Sequence, residues 1–127
     1  MLTLQVVLAI HADQIASYGG LDGVRDLAGL KSALAQVDLE VFGEKLHPTP
    51  ELRAAAVLYH VTRNHPFADG NKRTAWAAMA VGLLLEGLEL DIGDDEAYVL
   101  VNRVAGGELD KAQIADELRP RLKATNS

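Results

Sequence analysis

Apolar residues recur at helical spacing through most of this chain. Between Thr3 and Ser17 they lie three or four positions apart and predict a first helix, which Gly19–Gly20 can end. A second helix is predicted after Asp26, whose carboxylate suits the capping position. Its apolar face continues to about Phe42, and Gly43 marks the exit. The first third of the chain is therefore predicted to be two helices joined by a glycine-rich reversal.

Two further helices flank a polar turn in the middle of the chain. A polar connector, Glu44–Thr49, leads to Thr49-Pro50-Glu51, which combines a capping hydroxyl, a first-turn proline and an acid near the positive end of the dipole. This third helix delivers His65 to the turn. The segment from Asn71 to about Glu86 is apolar almost all round, which predicts a central buried helix.

The last third predicts a short extended link at Leu88–Asp91 and two more helices. One runs from Asp94, as its cap, to Val104, and the other is opened by Asp110 with Gln113 and curtailed by Pro120. No strand pattern is long enough to build a sheet. We therefore predict an all-α fold, a compact bundle of about six helices around the central apolar helix, in a single domain over residues 1–127 with a few disordered residues at the C-terminus.

Charge and composition narrow the choice of function. The net charge of -6 and the pI near 5.1 argue against a nucleic-acid partner, because such proteins usually present a basic face. The chain has no cysteine, which fits a reducing compartment, and we expect a cytoplasmic protein. No secretory signal is evident and the longest apolar run, Ala75–Leu85, is too short to span a bilayer, so no membrane association is expected.

The segment His65–Arg73 concentrates the chemistry of the chain. It reads His-Pro-Phe-Ala-Asp-Gly-Asn-Lys-Arg around a turn and continues into the apolar helix. Backbone amides of such a turn and of a helix start attract anions, and Gly70 allows the backbone to approach a ligand closely. His65 can accept a proton from a hydroxyl, and Asp69 offers one carboxylate to a magnesium ion held mainly by nucleotide phosphates. The segment therefore predicts a phosphate-handling site.

The remaining side chains of the segment extend this interpretation. Arg73 can grip a phosphate with two hydrogen bonds and Lys72 can add a point charge. Asn71 can position either a phosphate or the loop itself. Pro66 would stiffen the turn and Phe67 would fill the core beneath it, as structural support.

A simpler interpretation exists for each residue. His65 could bond a helix end, Asp69 and Asn71 could form the turn, and Lys72 and Arg73 could be a solvated helix start. Cations at a helix N-terminus oppose the macrodipole, however, and a bound anion would explain two of them side by side.

Read as H-P-F-x-D-G-N-K-R, the turn resembles the signature of the Fic/Doc superfamily, and its continuation resembles the Doc (death on curing) toxins. His11-Ala12, Tyr18–Gly20 and Gly23–Ala35 are also similar to the N-terminal part of Doc. The resemblance implies that His65 is the base, that Asp69 binds magnesium, and that the nucleotide phosphates are held by Asn71, Lys72 and Arg73.

The resemblance also implies an activity. Fic enzymes proper carry Gly where this chain has Lys72 and a second Arg where it has Trp76, and they commonly transfer the nucleotide part of ATP. Doc-like members share the lysine, lack the second arginine, and transfer the γ-phosphate of ATP to a threonine of elongation factor Tu, which halts translation. The expected function is thus that of a toxin of a toxin-antitoxin system, an ATP-dependent serine/threonine protein kinase with ATP and Mg²⁺ as cofactors.

The family further implies a cognate, Phd-like antitoxin as partner. The superfamily's self-inhibitory S/T-x-x-x-E-G/N helix is missing, since the nearest stretch, ending Glu86-Gly87, has Gly82 where a hydroxyl is required. The Val41–Thr49 connector lies where the superfamily places its target-docking flap, and is a weaker candidate for substrate contact.

Two other functions remain open. One is nucleotidyl transfer (AMPylation) to a protein hydroxyl, and the other is a non-catalytic helical adaptor that only binds an anion or a partner helix. Motif spacing assigns no chemistry to His11, His47 or His60, which are expected to be packing or capping residues.

Overall fold

The structure, a computed structural model, describes residues 2–125 and confirms the all-α prediction. Within that range the chain forms six α-helices: α1 Leu4–Tyr18, α2 Leu27–Val37, α3 Pro50–Asn64, α4 Asn71–Leu85, α5 Asp94–Ala105 and α6 Lys111–Leu118. Two short antiparallel strand pairs accompany them. In the first, β1 Glu40–Val41 pairs with β2 Glu44–Lys45, and in the second, β3 Leu88–Leu90 pairs with β4 Leu122–Ala124.

Four helices begin at the caps that the sequence predicts. Thr3, Asp26 and Thr49 each accept a hydrogen bond from the backbone amide three residues on. Asp110 and Gln113 form a reciprocal capping box at the start of α6. These side chains satisfy amides that a helix start otherwise leaves without acceptors. The capping prediction is wrong at α5, where Gly93 takes the cap position and Asp94 is the first helical residue.

The predicted second helix is too long, and its end is replaced by a hairpin. Helix α2 ends at Val37, and the polar connector predicted after it contains β2. Phe42 and Gly43 make the two-residue turn, with φ of 52° and 80°. Positive φ at both positions matches the twist of a hairpin, and strands of two residues are too short to show an alternating pattern.

The C-terminal segment also pairs. The predicted extended link is strand β3, and Leu122 of β4 lies opposite its Leu90. A 3₁₀ turn at Arg119–Arg121, which contains Pro120, separates β4 from α6. The predicted C-terminal disorder does not extend to β4, while Asn126 and Ser127 lie outside the described residues.

The centre of the bundle is α3, not α4 as the sequence suggested. Helix α3 packs against α2, α4, α5 and α6, and Ala54–Leu58 and Val61 are buried along it. Its small alanine side chains allow neighbours to approach on several sides. Helix α4 instead leaves Leu84 and Leu85 52% and 51% exposed, so its far end is a surface element.

None of the helices in residues 2–125 combines the length and the apolar character needed to cross a membrane.

A partly buried basic cluster, formed by His47 before α3, His60 on α3 and Lys111 on α6, lies away from the turn. The Nε2 atom of His60 is 3.1 Å from the ammonium of Lys111, and the imidazole of His47 is buried nearby. Burial, followed by the charge of Lys111 and the proximity of His47, lowers the pKa of His60 from 6.5 to about 4. Burial also lowers the pKa of Lys111 and of His47. The cluster therefore resists taking up protons while the protein is folded.

This cluster predicts a loss of stability in mild acid. His60 titrates at about 4 when folded and near 6.5 when unfolded, so the unfolded state binds more protons as the pH falls below 6.5. We expect the free energy of unfolding, measured by urea titration, to fall between about pH 7 and pH 5, where most carboxylates stay ionised. His60→Gln should reduce this fall. An equal fall in the variant would contradict the assignment to His60.

Candidate active site

The turn between α3 and α4 places His65 at the end of one helix and Asn71 at the start of the next. His65 caps α3 in the left-handed conformation, with φ of 50°, and its amide donates to the carbonyl of Val61 at 3.3 Å. A left-handed conformation is uncommon for a residue other than glycine and needs support from its surroundings. The histidine side chain is exposed, so the turn presents it to solvent.

Asn71 supplies part of that support. Its Oδ1 accepts from the Phe67 amide at 2.9 Å, and its Nδ2 donates to the Phe67 carbonyl at 3.0 Å. The same Nδ2 lies 3.1 Å from Nδ1 of His65. The side chain of Asn71 is buried. Of the two roles that the sequence left open for Asn71, the structure therefore shows its side chain positioning the loop.

The α1–α2 loop supports the turn from the other side. The amides of Arg25 and Asp26 donate to the carbonyl of Pro66 at 2.8 and 2.9 Å, and the amide of Ala68 donates to Gly23 at 3.1 Å. Val24 and Phe67 form an isolated antiparallel bridge. Two loops that are far apart in sequence are thus joined through their main chains.

Beneath the turn, Pro66 and Phe67 are fully buried. The ring of His11 stacks on Phe67, with centroids 3.9 Å apart and planes 6° from parallel. The Nε2 atom of His11 donates to the carbonyl of Asp69 at 2.9 Å. His11 therefore belongs to the framework of the site. Only the resemblance of His11-Ala12 to Doc drew attention to it, because no spacing of its own did.

Asp69 is exposed and held by backbone amides. Its Oδ1 accepts from Gly70 at 2.9 Å and its Oδ2 from Leu21 at 3.3 Å. These two hydrogen bonds, in that order, together with the charge of Arg73, lower the pKa of the Asp69 carboxyl. Gly20 has φ of +115°, which residues with a side chain rarely adopt, and a Cβ there would lie 2.8 Å from Oδ2. The result is an ionised carboxylate with a fixed orientation.

The two cations of the turn point in different directions. The guanidinium of Arg73 donates to the carbonyl of Gly19 at 2.9 Å and lies 5.6 Å from the ring centroid of Tyr18. The ammonium of Lys72 donates to Oδ1 of Asn102 on α5 at 2.8 Å. Arg73 thus faces the α1–α2 loop beside Asp69, and Lys72 faces α5.

The anion site differs in part from the prediction. Three loop amides are already used, since Phe67 donates to Asn71, Ala68 to Gly23 and Gly70 to Asp69. The start of α4 is different, because Gly70 is its cap residue and no side chain caps the helix. Its first helical bond runs from the Thr74 amide to the Gly70 carbonyl at 2.9 Å. The amides of residues 71–73 precede that bond, so they are available as donors to an anion.

Arg25 is a site residue that the sequence analysis missed. Its guanidinium donates to the carbonyl of His65 and lies 3.3 Å from Nδ1 of the same residue. No motif spacing links positions 25 and 65, and only the pairing of the two loops brings them together.

No group of three or more His, Asp or Glu side chains in the described part of the chain could hold a metal ion. Asp69 is a single carboxylate, and each of its oxygens keeps a lone pair beyond its bond to an amide. That donor set fits a magnesium ion that takes its other ligands from phosphates and water.

Comparison with known proteins agrees with the motif. The family model described as Fic/DOC family matches residues 1–83. The chain is 41% identical to a protein named Toxin Doc from Mycolicibacterium smegmatis over 104 residues, which cover 80% of each chain. It is 31% identical to Protein kinase doc of Escherichia phage P1 over 113 residues, which cover 89% of this chain and 88% of the relative. The chain therefore belongs to the Fic/DOC family and is similar to its Doc members.

Proposed function

We propose that this chain is a toxin that acts as an ATP-dependent serine/threonine protein kinase. It transfers the γ-phosphate of ATP to a threonine of elongation factor Tu and so arrests translation. The observation that carries the proposal is the uncapped start of α4, which lies beside a solvent-exposed histidine and an ionised carboxylate. The names of the two relatives, a toxin and a protein kinase, support the same activity.

The proposed roles follow from what each group can do. His65 takes the proton of the attacking hydroxyl. The first-turn amides of α4 and the guanidinium of Arg73 hold the nucleotide phosphates, and Gly70 leaves room for them. Lys72 joins them by leaving Asn102, since Lys72 is exposed and its hydrogen bond to Asn102 is readily exchanged at the surface. Because phosphoryl transfer depends on positioning and charge, these groups suffice without a covalent intermediate.

Asp69 would hold the magnesium ion. Its low pKa keeps it charged at neutral pH, as a ligand for a hard cation must be. When bound, the ion would neutralise charge on the phosphates and fix their geometry.

One observation favours γ-phosphate transfer over nucleotidyl transfer. Where Fic enzymes proper carry a second arginine, this chain has Trp76, which is partly buried and packs against the core. An indole on the core cannot replace an arginine that binds phosphates.

The hairpin formed by β1 and β2 is our candidate for target docking. Phe42 at its tip is fully exposed, and Val41 beside it is 46% exposed. Exposed apolar side chains at a hairpin tip offer a protein partner both contact area and free strand edges. We also propose a single domain, a cytoplasmic location and a Phd-like antitoxin as the second partner. No segment matching the superfamily's self-inhibitory helix is present, so restraint would have to come from that partner.

Paired labelling tests the activity. Purified protein, ATP, Mg²⁺ and elongation factor Tu should yield labelled factor from γ-phosphate-labelled ATP and none from α-phosphate-labelled ATP. His65→Ala should remove the label, with a loss of at least about 100-fold in rate, because it removes the general base. Label from the α position alone would show nucleotidyl transfer instead. Growth arrest that survives His65→Ala and Asp69→Ala together would favour a non-catalytic adaptor.

The role of Asn71 predicts a defect in stability. Asn71→Ala leaves the amide and carbonyl of buried Phe67 without partners, and we expect the free energy of unfolding to fall by about 2–4 kcal/mol. Asn102→Ala is the matched control, because the hydrogen bonds that Asn102 makes on α5 are exposed to solvent, and it should change stability by less than about 0.5 kcal/mol. Equal effects in urea titrations would refute the loop-positioning role.

The hairpin tip predicts a defect in docking alone. Phe42→Asn suits the left-handed backbone at this position and removes the exposed ring. We expect phosphorylation of elongation factor Tu to slow by about 30-fold, since burying a phenyl ring contributes about 2 kcal/mol, while the KM for ATP stays unchanged. Tyr98→Asn removes an exposed ring on α5 and should have no effect. Equal losses in both variants would exclude the hairpin as the docking site.

A further inference from the structure

Arg25 contacts both the main chain and the ring of His65. Its guanidinium donates to the His65 carbonyl, and one of its terminal nitrogens is 3.3 Å from Nδ1. Among the arginines of residues 2–125, Arg25 alone contacts the proposed base. The side chain is exposed, so burial does not force it into this position.

The main chain on each side of Arg25 explains where its side chain lies. The amides of Arg25 and Asp26 both donate to the carbonyl of Pro66, and Val24 pairs with Phe67. The Cα atom of Arg25 is therefore fixed against the turn that carries His65. Only the side-chain torsions remain to be ordered, which lowers the entropy lost in making the contact.

The orientation of the Asn71 carboxamide shows which of its atoms faces Nδ1 of His65. The Phe67 amide can only donate, so the Asn71 atom that bonds it at 2.9 Å must be the oxygen. The atom 3.1 Å from Nδ1 of His65 is then the amide nitrogen, which can only donate. The guanidinium of Arg25 also has donors and no acceptor. Two donors thus converge on Nδ1.

We propose that Arg25 and Asn71 hold neutral His65 with its proton on Nε2 and its lone pair on Nδ1, and that Arg25 is the positioning residue of the base. A ring nitrogen that faces two donors must carry the lone pair, and the single proton of the neutral ring then lies on the other nitrogen. Nε2 makes no hydrogen bond within residues 2–125, and the side chain is exposed, so this N–H meets solvent.

This inference rests on the proposed function, and it identifies the atom that accepts the proton. As the hydroxyl oxygen bonds to phosphorus and the bond from phosphorus to the ADP oxygen breaks, the hydroxyl proton moves to Nδ1. The ring becomes an imidazolium that keeps its proton on Nε2. The guanidinium of Arg25 and the amide nitrogen of Asn71 both face the atom that the hydroxyl must reach, so both have to yield Nδ1, while the bond from Arg25 to the His65 carbonyl holds the residue in place.

The first test is spectroscopic and needs no catalysis. Long-range proton–nitrogen correlation spectra of the full chain at neutral pH, without nucleotide, should show His65 with its proton on Nε2. The chain has 4 histidines, and the signals lost in His65→Gln identify the right one. A proton on Nδ1 overturns the proposal. Arg25→Met should shift the His65 signals toward a mixture of tautomers, and Arg25→Lys should restore part of the original pattern.

The second test is kinetic. Arg25→Met should lower kcat for phosphate transfer by about tenfold and leave the KM for ATP unchanged, because a positioning residue acts on the base. Arg103→Met is the matched control, as its side chain is partly exposed and pairs with Glu117 away from the turn. A raised KM with unchanged kcat would make Arg25 a nucleotide ligand and overturn the proposal. Thermal unfolding should confirm that each variant is folded.

The two tests keep this inference separate from the proposed function. If His65 shows the Nε2 proton and responds to Arg25→Met, but no γ-phosphate is transferred, the proposed kinase activity fails and the assignment of Arg25 stands. If transfer occurs and the spectra show the other tautomer, the kinase activity stands and the assignment of Arg25 fails.

Discussion

The site depends on one carboxamide. Asn71 is the first residue of α4, and its side chain reaches back to bond both main-chain groups of Phe67 and to meet the ring of His65. A single buried side chain thus fixes three things together: the closure of the turn, the start of the helix and the orientation of the histidine. Because the bonds are buried, any other shape of the turn would leave polar groups without partners, which is costly.

The hydrogen bonds that hold the turn also determine which backbone amides remain available to an anion. The α1–α2 loop and Asp69 satisfy amides of the turn, and so remove them from any ligand. The first turn of α4 keeps its amides for a ligand, and there the helix dipole also favours negative charge. The stability of the turn and the location of the anion site are therefore consequences of one set of bonds. Asp69 contributes to both, because the amides that orient its carboxylate also keep it ionised.

The sequence was most informative where a local rule applies. Capping residues fixed the starts of four helices, since Thr3, Asp26, Thr49 and Asp110 each act on amides a few residues away. The motif likewise located the turn, because its residues are contiguous. The β1–β2 hairpin was not predicted because its strands have only two residues each. The central position of α3 was not predicted because it depends on which elements pack around the helix.

The parts of the site that the sequence could not show are those that meet only in three dimensions. His11 and Arg25 reach the turn from α1 and from the loop after it, and their bonded partners are 58 and 40 positions away in the sequence. No periodicity relates such positions. For the same reason, the sequence could not show that the amides of the turn already have acceptors, which include Gly23 on the distant loop. The functional residues that are contiguous in the sequence could be predicted, whereas the residues that support them from distant parts of the chain could not.

The start of α4 remains energetically unfavourable by the standards of this chain. With glycine at the cap, the missing side chain costs about a few tenths of a kcal/mol, and cations in the first turn oppose the dipole by about as much again. The helix has no acid there to offset Lys72 and Arg73, although α5, which also lacks a side-chain cap, has three acids in its first turn. A bound phosphate would satisfy the amides, the dipole and the cations at once, and would stabilise the folded chain in proportion to its occupancy. The unfavourable start of α4 thus favours anion binding. A helix start already capped by its own side chain would gain less free energy from a bound anion.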